Sequence, residues 1–164
     1  MITSDYISQL PRPLKQLVSI FLLILSVGYF SGLVFVNDTT SATNQGIRVN
    51  YNGNEDNEEA EEMKFKKSDH EMLNIIHTHI LSMSIIFFIL GGLVYGTNIH
   101  PIVKSFLMIE PLLSVLVTFG GIYLIWLDID WMSYVVMVSG GLMTLSFVGS
   151  VIAILSSLKG QSDQ

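Results

Sequence analysis

The residues of this sequence that are most capable of chemistry lie inside long apolar stretches. His77 and His79 are separated by one threonine, and Glu110 is followed at helical spacing by Ser114 and Thr118. Histidine can ligate a metal or a haem iron and can carry a proton, and a carboxyl group can also exchange a proton. Because polar side chains are costly inside a bilayer and mostly face other protein groups, these five residues are candidates for a ligand site or a proton path.

The histidine pair cannot act as a single chelating unit on a regular helix. Residues two positions apart point about 200° away from each other, so His77 and His79 cannot both bind one metal ion. Either histidine could be an axial ligand of haem b, with the second ligand supplied by a second copy, by another protein or by a methionine such as Met83. The alternatives are a different metal site, a proton relay, or two hydrogen-bonded histidines that only help to hold a helix bundle together.

Glu110 is the second candidate, because it is the only acid within its apolar stretch and Pro111 follows it. It lies roughly 13 Å along the helix from Pro101, which is near the middle of a membrane. Ser114 and Thr118 continue from it on one face, and Ser84 should lie at a similar depth. We therefore expect a polar seam that faces the histidines, either as a proton or ion path or as a contact that joins helices.

The elements that carry these residues are predicted to be transmembrane helices. A spanning helix needs roughly 20 mainly apolar residues, and only helices or closed barrels satisfy their backbone hydrogen bonds in lipid. The chain has 164 residues, of which 50% are hydrophobic and 13% charged. The sequence predicts an all-α, integral membrane four-helix up-down bundle with spans over residues 16–36, 72–99, 105–127 and 131–158.

Short links join the last three spans, and one long link joins the first two. This link, residues 37–71, holds 13 of the 22 charged residues and is predicted to be an acidic extracytoplasmic loop. Its first part, 37–54, reads as flexible because it is rich in Asn, Thr, Gly and Ser. The spacing of its acids and lysines favours a short helix within 55–67. The loop is interpreted as a solvated segment, or alternatively as a docking patch for a basic partner or a divalent cation.

The orientation follows from the basic residues near the spans. Residues 1–15 and the tail 159–164 share one side with Lys104, and the two sides carry four basic residues each. We predict cytoplasmic termini, because Arg12 and Lys15 directly flank the first span whereas the loop lysines lie among acids. The first span could also be read as a signal peptide, but its apolar core is longer than the roughly 7–15 residues that are typical of one.

Glycines are spaced in the pattern that lets transmembrane helices approach closely. Gly28 and Gly32 lie four residues apart in the first span, and Gly92 and Gly96 repeat that spacing in the second. Small residues at this spacing predict helix–helix contacts.

Three short segments resemble a known family. They are His77-Thr-His-Ile-Leu-Ser-Met83, Ile109-Glu-Pro-Leu-Leu113 and Thr118-Phe-Gly-Gly121. Together they are similar to a family of small four-helix bacterial inner-membrane proteins. The resemblance implies placement in the bacterial inner membrane and implies no activity.

Several function classes are disfavoured by composition. No basic patch exists to neutralise phosphates, so nucleic acid is not expected as a partner. The sequence has no cysteine, which excludes disulfides and thiolate metal sites. No acid, base and nucleophile converge, so an enzyme is the weakest hypothesis. The first hypothesis is an accessory or structural subunit of a homo-oligomer or larger membrane complex, and the second is a small proton, ion or solute carrier.

Overall fold

The computed structural model describes residues 5–55, 57 and 62–160, and this part of the chain is helical without strands. Its helices are α1 (Arg12–Thr40), α2 (Asn44–Asn52), α3 (Asp69–Tyr95), α4 (Pro101–Trp126) and α5 (Met132–Lys159). All except α2 are long and apolar enough to cross a membrane. The prediction of an all-α membrane bundle with four spans is confirmed.

Local signals at the helix ends explain where the spans begin. Ser68 and Glu71 form a capping box at the start of α3, so the helix begins three residues before the predicted span. Pro101 occupies the first turn of α4, where its missing N–H costs nothing. Pro111, inside α4, does not end that helix.

Helices α3, α4 and α5 form the densest part of the molecule, with α4 packed between α3 and α5. The core contains Phe87 from α3, Ile125 from α4 and Phe147 from α5, and each of these is almost fully buried. Close approach of α4 to α5 occurs at Gly121, where an added Cβ would lie 2.7 Å from Val136 Cγ2. The short connections between these helices make them antiparallel neighbours.

Helix α1 lies at the edge of this unit. It packs beside α5 and next to α2, and only Leu22 and Thr40 are buried along its length. One firm contact is made in the membrane, where the Tyr29 ring stacks on Phe147 with centroids 4.0 Å apart. Val18, Phe21 and Leu25 also pack against the core, whereas most other apolar side chains of α1 are exposed, as expected for a helix surrounded mostly by lipid.

The long connection between α1 and α3 is more ordered than the sequence indicated. The prediction that residues 37–54 are flexible was wrong, because this segment includes the end of α1 and the whole of α2. The Thr43 side chain caps α2 by accepting a hydrogen bond from Gly46 N, and Ile47 is buried. Of the helix expected within 55–67, positions 56 and 58–61 lie outside the described residues, and 63–67 are not helical.

Helix α2 and the segment after it dock on the turn between α4 and α5. Asn52 Nδ2 donates to Ile125 O at 2.7 Å, and Lys66 Nζ lies 3.0 Å from Asp128 Oδ2. Asp130 forms an ion pair with Arg48. Asp128 and Asp130 therefore hold the loop against the bundle. Burial at this contact raises the pKa of the Tyr51 phenol, which stays neutral at physiological pH.

The opposite end of the bundle brings the two ends of the described chain together. Lys15 Nζ donates to Gly160 O at 3.3 Å, and Ile7 N donates to Gly96 O at 3.1 Å. The start of α1 and the end of α5 consequently share one end of the molecule, as an even number of spans requires.

Candidate functional site

The most concentrated intramembrane polarity lies between α4 and α5, around Glu110. Ser114 Oγ, one turn along α4, donates to Glu110 Oε1, and Ser146 Oγ of α5 donates to Glu110 Oε2. Both carboxyl oxygens therefore accept a hydrogen bond from a hydroxyl group. This satisfies a polar group whose burial without partners would be costly.

A second hydroxyl pair extends the seam along the same interface. Thr118 Oγ1 and Ser139 Oγ lie 2.7 Å apart, and both side chains are buried. Ser150, one turn beyond Ser146, is 1% exposed, and its Oγ has no hydrogen-bond partner within the described residues. The seam thus continues past Glu110 toward the end of α5.

The local sequence of α5 explains why it supplies these hydroxyls. Ser139, Ser146, Ser150 and Ser157 follow one another at intervals of seven, four and seven residues, which places them on a single helix face. All four are buried, and from this face Ser146 bonds to Glu110 and Ser139 contacts Thr118 of α4. None of these serines was among the predicted site residues, although their spacing was a usable signal.

A third hydroxyl contact ties α1 to the same depth. Tyr29 Oη and Thr144 Oγ1 are 3.1 Å apart, and Thr144 also donates to Gly140 O. The polar groups of α1, α4 and α5 thus surround the middle of the bundle. Chemically, hydroxyls and a carboxyl group in this arrangement can hold helices in register or pass a proton over short distances.

The histidines are not part of this seam. His79 Nδ1 lies 2.7 Å from Ile75 O, and the His79 ring stacks on Phe119 with centroids 4.8 Å apart. Because a carbonyl oxygen only accepts, Nδ1 carries a proton and donates to it. No hydrogen bond joins either histidine to Glu110 within the described part of the chain. The seam was predicted to face the histidines of α3, whereas its hydrogen bonds between helices run to α5.

His77 lies on the other side of α3 from His79, and both histidines are exposed. The exposed side of α3 also carries His70 and Asn74 before it and Leu81 after it, at spacings of four, three and four residues. These residues form one outward strip that is polar near the start of α3 and apolar further along. The opposite directions of His77 and His79 agree with the 200° expected from helical geometry.

Few of the remaining candidates are brought together. Ser84 is half-buried and makes no hydrogen bond within the described residues. In that part of the chain no three His, Asp or Glu residues are grouped as a metal site would require. Any metal site at His77 or His79 would therefore need ligands other than the described His, Asp and Glu residues.

The glycines that were predicted to make helix–helix contacts do not contact neighbouring transmembrane helices in the described part of the chain. An added Cβ at Gly28, Gly32 or Gly92 would meet nothing within 4 Å, so any helix that they admit must come from outside the described chain. At Gly96 an added Cβ would lie 3.0 Å from Ile7 Cγ1. Gly96 thus contacts the segment before α1, not a neighbouring transmembrane helix.

The fold and the seam define a multi-pass α-helical membrane protein. The chain belongs to a protein family described as a transmembrane helical domain, which matches residues 41–164 and so includes α2 to α5. Membership in a transmembrane family of this kind agrees with the resemblance carried by the histidine, Ile-Glu-Pro and glycine segments. No curated protein and no solved structure matches the chain.

Proposed function

We propose that this protein is a non-catalytic subunit of a membrane complex, and that the outward strip of α3 contacts another membrane protein. The observation that carries the proposal is the exposure of His77 on the surface of the chain. His77 lies roughly 12 Å along α3 from Asp69. In a helix of 27 residues centred in the bilayer, this position is within the hydrocarbon layer.

A polar side chain at that depth favours a protein partner over lipid. Intramembrane histidines mostly face the interior of a bundle or a water-filled cavity, because lipid offers no hydrogen-bond partner. His77 has no hydrogen-bond partner within the described residues, and Asn74 is exposed one turn before it. A neighbouring helix with a hydroxyl, amide or carboxyl group would satisfy both side chains. The partner is a second copy or a different subunit of the complex.

Single cysteines provide a direct test, since the chain has none of its own. Leu81→Cys places a thiol on the strip without removing a histidine, and Leu145→Cys places one on α5 as a control. Leu81 is 53% exposed and Leu145 is 70% exposed, so the control position is the more accessible of the two. A photoreactive maleimide on position 81 should cross-link a protein in native membranes, and the same label on position 145 should not. Equal cross-linking, or none from position 81, would contradict the proposal.

A redox-linked form of this proposal places a haem b iron on His77 or His79, with the second axial ligand from the partner. Its support is the unoccupied Nε2 of His79 and the outward position of His77. An absorption spectrum of the complex purified from haem-replete cells tests this form. A Soret band that disappears in His77→Ala or His79→Ala supports it, and a spectrum without one rejects it while leaving the subunit role intact.

The second candidate function is a small proton or ion carrier that uses the seam. The specific observation in its favour is the buried, unpartnered Ser150 Oγ beside the Glu110–Ser146 contact, because a hydroxyl with free hydrogen-bonding capacity can extend a proton path. It ranks lower because both Glu110 oxygens are already bonded within the helix interface. Proton flux into liposomes that is lost in Glu110→Gln, but not in Ser156→Ala, would establish it over the subunit role.

A further inference from the structure

A groove of 590 Å³ opens between the first half of α1 and the last half of α5. It lies between the two helices near the end of the bundle where Lys15 Nζ donates to Gly160 O. Its volume falls within the roughly 300–1,000 Å³ that is common for small-molecule sites. The groove is lined by Lys15, Ser19 and Ile20 of α1 and by Leu155, Leu158 and Lys159 of α5.

Polar and apolar wall residues lie at different depths. Lys15 is in the first turn of α1 and Lys159 is the last residue of α5, so both ammonium groups lie at the end of the bundle. Ile20 and Leu155 lie roughly 6–8 Å deeper along their helices. A ligand that fills the groove therefore needs an anionic group at the membrane surface and an apolar part that extends into the bilayer.

The position of the Lys15 ammonium group suits an anionic ligand. Its bond to Gly160 O at 3.3 Å uses one of three N–H donors and holds the group beside the groove. Ser19 Oγ donates to Lys15 O at 2.8 Å, which turns this small side chain back to the helix and leaves the groove open. Arg12 adds a further cation one turn before Lys15. Among the described residues at this end, the one acid is Asp5, whose carboxylate accepts from Ser8 N.

We propose that this groove binds an anionic phospholipid, with its phosphate at Lys15 and Lys159 and an acyl chain along Ile20 and Leu155. Basic pockets between transmembrane helices are suited to anionic headgroups, and the apolar walls supply the affinity that a free phosphate would lack. The site is independent of the proposed subunit role, which uses the opposite part of the surface on α3.

The test measures lipid retention on the purified full-length protein by native mass spectrometry. Phosphatidylglycerol and phosphatidylcholine with identical acyl chains are titrated into the detergent-solubilised protein. Wild type should retain the anionic lipid preferentially. Each lysine near an anionic group contributes about a factor of five, so Lys15→Gln with Lys159→Gln should weaken phosphatidylglycerol binding about 25-fold. The control, Lys64→Gln with Lys67→Gln, removes the same charge at the other end and should leave binding unchanged.

A second variant tests the groove without changing its charge. Ser19→Trp fills the space between the helices, and it should abolish lipid retention while both lysines remain. If the double lysine variant does not fold, this variant and Lys15→Gln alone decide the result, with folding checked by circular dichroism.

Three results would overturn the proposal. The first is equal retention of the two lipids, or equal loss in the control variant. The second is displacement of the lipid by glycerol 3-phosphate at a similar concentration, which would indicate a site for a soluble phosphate. The third is a cross-link from Gln16→Cys to a second copy of the chain in lipid vesicles, which would assign the groove to a helix.

Discussion

The contact at Gly121 makes a quantitative prediction about the α4–α5 interface. An alanine Cβ at this position would lie 2.7 Å from Val136 Cγ2 and 3.3 Å from Met132 Cε. The methionine end can rotate away, but Val136 is buried and β-branched, so its methyl group can move only with the backbone. Overpacking of this kind costs about 1–3 kcal/mol.

The neighbouring glycine supplies the control for this substitution. An added Cβ at Gly120 would meet nothing within 4 Å. Both alanine variants gain about 1 kcal/mol of helix propensity, so this gain cancels in their difference. We therefore expect Gly121→Ala to be less stable than Gly120→Ala by about 1–3 kcal/mol, with Gly120→Ala equal to or more stable than wild type.

Unfolding in mixed micelles measures this difference. The two variants are titrated from dodecyl maltoside into increasing mole fractions of dodecyl sulfate, and helicity is followed by circular dichroism. Gly121→Ala should unfold at a lower fraction of dodecyl sulfate than Gly120→Ala. Coincident transitions, or the reverse order, would refute the close approach of α4 to α5 at this point.

Three further predictions concern contacts of the seam and the loop. Ser146→Ala should lower the free energy of unfolding by about 1–2 kcal/mol, because it removes a hydrogen bond to the intramembrane carboxyl group. The control, Ser156→Ala on the exposed side, should change the free energy of unfolding by less than about 0.5 kcal/mol in the same titration. Tyr29→Phe keeps the stacking on α5 but loses the bond to Thr144, and a loss of about 0.5–1 kcal/mol is expected, well below that of Tyr29→Ala. Arg48→Gln removes a half-exposed ion pair and should lower the free energy of unfolding by about 0.5 kcal/mol in low salt, with no measurable change in about 1 M salt. A loss of stability that persists in high salt would contradict this assignment.

The spans could be predicted from the sequence, because the length and apolar character of a transmembrane helix are set by the bilayer itself. The partners of the polar residues could not be predicted so directly. Glu110 was placed correctly near the middle of α4, but α4 has neighbours on two sides. Its hydroxyl-rich face was expected to meet α3, whereas its hydrogen bonds run to Ser139 and Ser146 of α5. Each of these serines is ordinary in a transmembrane helix, and only their shared spacing distinguishes them.

The loop and the glycines show a second reason why some contacts could not be predicted from the sequence. Helix α2 has a composition with weak helix propensity, and it is stabilised by the Thr43 cap and by the burial of Ile47 against the bundle. Such tertiary contacts are not visible in local sequence. Similarly, the spacing of Gly28 and Gly32 identifies a surface that can accept a helix, but the rotation of α1 in the fold turns this surface away from its neighbours.

The thin attachment of α1 has a mechanical consequence. Helices α3, α4 and α5 share a buried core, whereas α1 is held in place by the Tyr29 ring, by a few part-buried apolar side chains such as Phe21 and Leu25, and by a polar contact near each end. A force applied to the amino terminus would therefore extract α1 as a separate step, at lower load than the rest of the bundle. The protein thus consists of a stiff three-helix body with one compliant helix, and a load on that helix is largely relieved before it reaches the seam.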